Sequence, residues 1–172
     1  ERNPLEYRRR AYGMDHDRYE WSMLTDRPRV QWPQGKTLAV WVNVSLEHFP
    51  LNPTGKPVKL PGSMTMPYPD LRHYTLRDYG NRVGVFRLMA LLKKYGIRAT
   101  ASLNADLCDQ HPQIVEDAVN LEWEFLAHNR TNAVWLSAIP ADEERDFIHY
   151  CIERVTRATG KRPTGWLSSA MD

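Results

Sequence analysis
The apolar positions along this chain fall into short runs separated by amphipathic stretches. Thr37 to Ser45 is β-branched and apolar, and predicts a buried first strand. From Asn81 to Tyr95, Val83, Phe86, Met89 and Ala90 recur at helical spacing, and Gly96 stands where a glycine cap belongs. A second strand, Ile97 to Asn104, comes directly after. A helix opening near Pro112 carries Ile114, Val115, Ala118 and Val119, and the strand Trp123 to Ala127 follows it. A third helix is expected over about 140–159. Phe147, Ile148, Cys151, Ile152 and Val155 line one of its faces, acidic residues fill its first turn, and Gly160 follows its end. The last apolar run, Thr164 to Ser168, reads as a fourth strand.

Two stretches break this rhythm. Residues 1–36 are charged, aromatic and rich in turn formers, without sustained periodicity. They read as an N-terminal arm lying on the body of the domain or on a neighbour. Phe49 to Tyr74 holds Pro50, Pro53, Pro57, Pro61, Pro67 and Pro69. An irregular loop of that length is usually functional, and prolines reduce the entropy lost in ordering it over a site. Residues 37–172 then alternate strand and helix, the pattern of an α/β protein with a parallel sheet, either open or closed as a barrel. Four strands are too few to close a barrel. The chain also starts at Glu1 and ends at Met171-Asp172, just after a strand. The expectation is a truncated chain, a processed one, or one subunit of a split protein.

Composition narrows the class. The 172 residues suffice for one domain, and 42% apolar with 26% charged residues is ordinary for a soluble globular protein. A net charge of +2 gives no argument for nucleic acid or a membrane surface, and Arg8-Arg9-Arg10 is offset by Glu1, Glu6 and Asp15. No apolar run approaches the ~20 residues of a membrane span, and no signal peptide is visible, so the cytoplasm is the default. Cys108 and Cys151 are too few and too far apart for a disulfide framework or a zinc site, and Cys151 reads as core.

Candidate chemistry gathers where strands end, because in a parallel α/β protein those ends share one rim. The first offers Asn43, Ser45, Glu47 and His48; the second Ser102, Asn104 and Asp106; the third His128 to Asn132; the fourth Trp166 to Ser169. Amide hydrolysis needs a group to activate water, donors for an oxyanion, and an acid for the leaving nitrogen. A single His at a strand end is equally compatible with a structural cap, and Glu47-His48 with simple closure of the strand. Asp78 near a helix start could be a cap, with Asn81 and Arg82 bonding the long loop, or Arg77 could face a carboxylate or imide oxygen. Trp41, Trp123 and Trp135 read as packing residues.

Four segments carry a family resemblance: Arg77-Asp78-Tyr79-Gly80-Asn81-Arg82-Val83-Gly84, Gly96 to Asn104, Trp123 to His128, and Arg162-Pro163-Thr164-Gly165-Trp166. From about Thr37 onward the chain resembles the polysaccharide deacetylase superfamily, most closely the branch of metal-independent allantoinases, cyclic imide hydrolases and peptidoglycan-deacetylase-like proteins. The resemblance implies the first part of a distorted, seven-stranded β/α barrel. It also implies hydrolysis of a non-peptide C–N bond in a small linear or cyclic amide. Metal-dependent members hold a divalent ion with an Asp after the first strand and a His-x-x-x-His pair. Here Asn43 and Ser45 stand at the carboxylate positions, and Asn132 follows His128 four residues on.

The expectation is therefore a metal-free catalytic pair, Glu47 and His128, with no cofactor. The alternative is a zinc ion near His128 in an N-deacetylase of amino-sugar polymers. Substrate contacts are expected from Asn43, Arg77, Asn104, Asn132, Trp166 and Ser168, with Trp166 lining the pocket. The partners expected are a small-molecule amide and a second polypeptide supplying the remaining barrel strands, in an oligomer. A third reading is a non-catalytic half completed by that partner.

Overall fold
The computed structural model describes residues 16, 19–53 and 68–169. The chain divides between Val40 and Trp41 into two units. Within the first, residues 19–40 carry two short 3₁₀ turns, Leu24–Asp26 and Pro33–Gly35, and Arg27 Nε donates to Ser22 Oγ at 2.9 Å. Residues 1–15 of the expected arm lie outside the described residues.

The second unit is a parallel α/β fold. Its strands are β1 (Asn43–Leu46), β2 (Thr100–Leu103) and β3 (Glu124–Ala127), paired in the order β1-β2-β3 with Asn43 opposite Thr100 and Thr100 opposite Glu124. Each new strand adds on the same side of the last. That is the order of a singly wound, barrel-like sheet, whereas a doubly wound sheet reverses direction at a switch point. Side chains alternate as strand geometry demands. Val44, Leu46, Ala101, Leu103, Phe125 and Ala127 are buried on one face. There they join Val85, Met89 and Leu92 of α2 (Val85–Lys94), Ile114, Val115 and Ala118 of α4 (Pro112–Asn120), and Val155 of α5 (Glu144–Thr159). The other face is polar. Ser102 Oγ donates to Asn43 Oδ1 at 2.9 Å, and Trp41 Nε1 to Thr100 Oγ1 at 2.8 Å.

The fourth strand is reduced to one parallel bridge, Ala127 with Trp166. Ala127 N donates to Gly165 O and Leu167 N to Ala127 O, both at 3.0 Å. Pro163, which lacks an N–H, precedes this bridge, and among the described residues no strand pairs on its far side.

The strands are shorter than the apolar runs at their leading ends. The first begins at Asn43 rather than Thr37, although Thr100 N still reaches Val42 O at 2.9 Å. The helix expected at Asn81 starts ten residues earlier, as α1 (Leu71–Tyr79), and runs through a π-helical turn, Gly80–Gly84, into α2. Asp70 makes this early start possible. Its side chain caps the helix, accepting from His73 N at 3.1 Å, so the irregular stretch ends there and not at Tyr74. Its residues 54–67 lie outside the described residues. A short α3 (Leu107–Gln110) links β2 to α4, and α5 ends where Gly160, at φ +72, adopts the left-handed cap.

Candidate active site
The shared rim at the strand ends exists, and it brings Glu47 and His128 together. Glu47 is the first residue past β1 and His128 the first past β3. His128 is 4% exposed, and its Nε2 faces Glu47 Oε1 at 3.6 Å. Nδ1 of the same ring donates to Leu167 O, the carbonyl inside the fourth-strand segment. With Nδ1 protonated, Nε2 is left as the working nitrogen, buried and without a hydrogen bond of its own. Asn129, next in the chain, turns the backbone through φ +53, a left-handed conformation that asparagine tolerates better than most residues. Its carbonyl accepts from Ala105 N at 3.1 Å, which ties the loop after β3 to the end of β2.

Asn104, at the end of β2, is the fixed point between the two. It is fully buried. Its Oδ1 accepts from His48 N at 2.7 Å, and its Nδ2 donates to His128 O and, at 3.0 Å, to Asn132 Oδ1. Both amide hydrogens are used, so Asn104 braces the segments carrying Glu47 and His128. Asn132 Oδ1 also accepts from Ser169 Oγ at 3.0 Å, which leaves the Asn132 amide NH₂ as the part turned toward Glu47. His128 holds the Glu47 carboxyl below the ordinary carboxylate range. Burial opposes this, and hydrogen bonds from Asn132 and Ser45 add to it.

Asn43 does not stand at the rim, where the sequence led one to expect it. The strand begins with it, so Asn43 lies four residues and ~13 Å down the sheet from Glu47. Its Oδ1 is taken by Ser102. Trp166 and Ser168 do flank Leu167, and Trp166 Nε1 donates to Ser168 Oγ at 3.2 Å. Arg77 lies across a cleft from Glu47. The cleft is also lined by His48, Phe49, Tyr74, Asp78, Asn81 and His111. Asn81 Nδ2 donates to Glu47 O at 3.0 Å, so the π-helical turn pins the backbone beneath the carboxylate. Burial and the nearby His111 ring, 6.3 Å away between centroids, push His48 down.

Two of the rim residues, Asp106 and Arg130, form a cluster with Tyr150 of α5 that the sequence does not signal. Arg130 Nε bonds both Asp106 oxygens at 3.1 Å, Tyr150 OH donates to Asp106 Oδ1 at 3.1 Å, and Arg130 stacks on the Tyr150 ring. No motif marks it, because its members come from three separate elements.

A transition metal fits this donor set poorly. His128 Nε2 and Glu47 are two donors, and Asn132 Oδ1 already accepts two hydrogen bonds. No group of three His, Cys, Asp or Glu side chains comes together among the described residues. Zinc sites take at least three such protein ligands.

Comparison with known proteins places the chain. The polysaccharide deacetylase family model matches residues 72–169, more than half of the sequence. The chain belongs to the polysaccharide deacetylase family. Among solved structures it is similar to the Puue allantoinase, at 26% identity and a TM-score of 0.56 over 60% of this chain and 33% of that one. It is likewise similar to a probable polysaccharide deacetylase from Pseudomonas aeruginosa, at 28% identity and a TM-score of 0.50, covering 54% and 30% of the two chains. A putative polysaccharide deacetylase from Mycobacterium smegmatis, at 23% identity and a TM-score of 0.50 over 56% and 33%, shares the fold. The chain thus spans about a third of the length of these structures. No curated protein matches it significantly. No helix among the described residues is long and apolar enough to cross a membrane.

Proposed function
We propose that this polysaccharide deacetylase family chain carries the acid–base half of an amidohydrolase acting, without a metal ion, on a non-peptide C–N bond of a small linear or cyclic amide. The observation that carries the reading is the 3.6 Å approach of His128 Nε2 to the Glu47 carboxylate. Glu47, held ionised by its neighbours, takes a proton from water as the water oxygen bonds to the amide carbon. That proton passes across the pair to His128 Nε2, with Nδ1–H held on Leu167 O, and from there to the leaving nitrogen as the C–N bond breaks, which returns both groups to their starting forms. The products are a carboxylic acid and an amine. The Asn132 amide, beside Glu47, is the side-chain donor nearest the developing oxyanion. The similarity to the allantoinase, at 26% identity and a TM-score above those of the two deacetylases, supports a small substrate over a polymer. Among the described residues β1 pairs with β2 alone, so its outer edge is open to a further strand from a partner polypeptide in an oligomer.

The test is turnover of a panel of small imides, ureides and N-acetylated amino sugars, with and without a strong chelator. Chelator-resistant hydrolysis of an imide or ureide is expected. Activity confined to acetylated sugars and abolished by chelation would establish the metal-dependent N-deacetylase instead.

A further inference from the structure
The cleft beside Glu47 holds a cation, Arg77, that forms no direct ion pair among the described residues, although, after His73, its charge helps to hold Asp70 ionised. The Arg77 guanidinium carbon lies 3.7 Å from the centroid of the Phe49 ring, a cation–π contact that holds the group at the cleft. Its two nearest acidic neighbours in sequence are spent elsewhere. Asp78 is bound by Arg82 at 2.7 Å, and Asp70 caps α1 and pairs with His73 at 2.5 Å. Glu47, which also lines the cleft, is engaged by His128. Among the described residues the Arg77 side chain makes no hydrogen bond or ion pair, while His48 and His111 line the same cleft with further ring N–H donors. An arginine held on an aromatic ring and whose donors are unused is suited to a planar, two-oxygen anion.

We propose that Arg77, seated on Phe49, binds a carboxylate of the substrate, so that the amide cut at Glu47 and His128 belongs to a small molecule bearing an acid group at its other end. This deepens the hydrolase reading and rests on it, but the binding site can be tested without turnover. Succinate and succinamide are the probes, titrated into the protein and followed by NMR at the Arg77 Nε–H and the His48 and His111 ring signals. Succinate is expected to bind more tightly than succinamide. Arg77→Gln is expected to weaken succinate by about 10–100-fold, and Arg77→Lys by less, because the charge remains and the fork is lost. Arg77 is exposed, and thermal unfolding of each variant confirms that the fold is kept. Equal affinity for the two probes, or an Arg77→Gln protein that binds succinate as the parent does, overturns the proposal. Comparing turnover of succinamate and succinamide separates the two claims. Equal turnover keeps the hydrolase and removes the anion site. Succinate binding at Arg77 with no amide cleaved keeps the site and removes the hydrolase.

Discussion
His128 Nε2 and Glu47 Oε1 face each other at 3.6 Å from the ends of two strands that do not touch, β1 and β3, with β2 between them. This spacing is an ion-pair contact rather than a hydrogen bond, so a water or substrate atom can bond to either group without first breaking a bond between them.

The pair has a pH signature. Because His128 lowers the Glu47 pKa on folding, the ionised carboxylate is favoured in the folded state. The resulting stability is fully present above the unfolded carboxylate pKa and is lost as pH falls through the lower folded value. Denaturant unfolding at a series of acid pH values should therefore show a smaller acid loss of stability in Glu47→Gln than in the parent. An unchanged acid limb would mean that the two groups do not interact.

Asn104 predicts a structural loss. Asn104→Ala leaves the half-buried His48 N–H without its acceptor, and the buried His128 carbonyl and Asn132 without their shared donor. A buried group left unsatisfied costs roughly 1–3 kcal/mol, so the midpoint of urea unfolding should fall by that order. A variant as stable as the parent would show that the brace is dispensable.

The two thiols should be inert. Cys108 and Cys151 are buried and free, and burial pushes their pKa values up to about 11 and about 12. At neutral pH the thiolate needed for alkylation is scarce in both. Iodoacetamide followed by mass spectrometry should label neither in the native protein and both in urea. Rapid native labelling of Cys151 would contradict its place in the core.

Gly165 carries the closest packing at the fourth-strand bridge. A Cβ there would stand 2.7 Å from Leu126 Cδ2. Gly165→Ala should destabilise by about 1 kcal/mol, since a leucine methyl can swing aside at modest cost. Leu126→Ala in the same chain should recover part of that loss, a coupling readable from a double-mutant cycle.

Reading the sequence located the strand ends, and with them the pair Glu47 and His128, because alternating β and α elements force all such ends onto one rim. Helix faces carrying Met89, Ile114 and Val155 were equally plain from their spacing. What escaped was register and bonding. Residues 37–42 are as apolar as Val44, so nothing in them shows that pairing begins at Asn43. Gly80 reads as a helix breaker, yet it opens a π-helical turn that carries α1 into α2. Asn104 is legible as a polar residue at a strand end, but the bonds it makes to His48, His128 and Asn132 are not. The cluster of Asp106, Arg130 and Tyr150 has no local pattern at all.

The most direct test of the central claim is turnover in Glu47→Gln, His128→Ala and the double variant, on whichever amide the parent cleaves. Each single change is expected to lower kcat by ~10²–10⁴-fold, with the double variant little worse than either single one, because the two groups act in one proton-transfer sequence. A His128→Ala protein that keeps more than about a tenth of the parent's turnover would contradict the account.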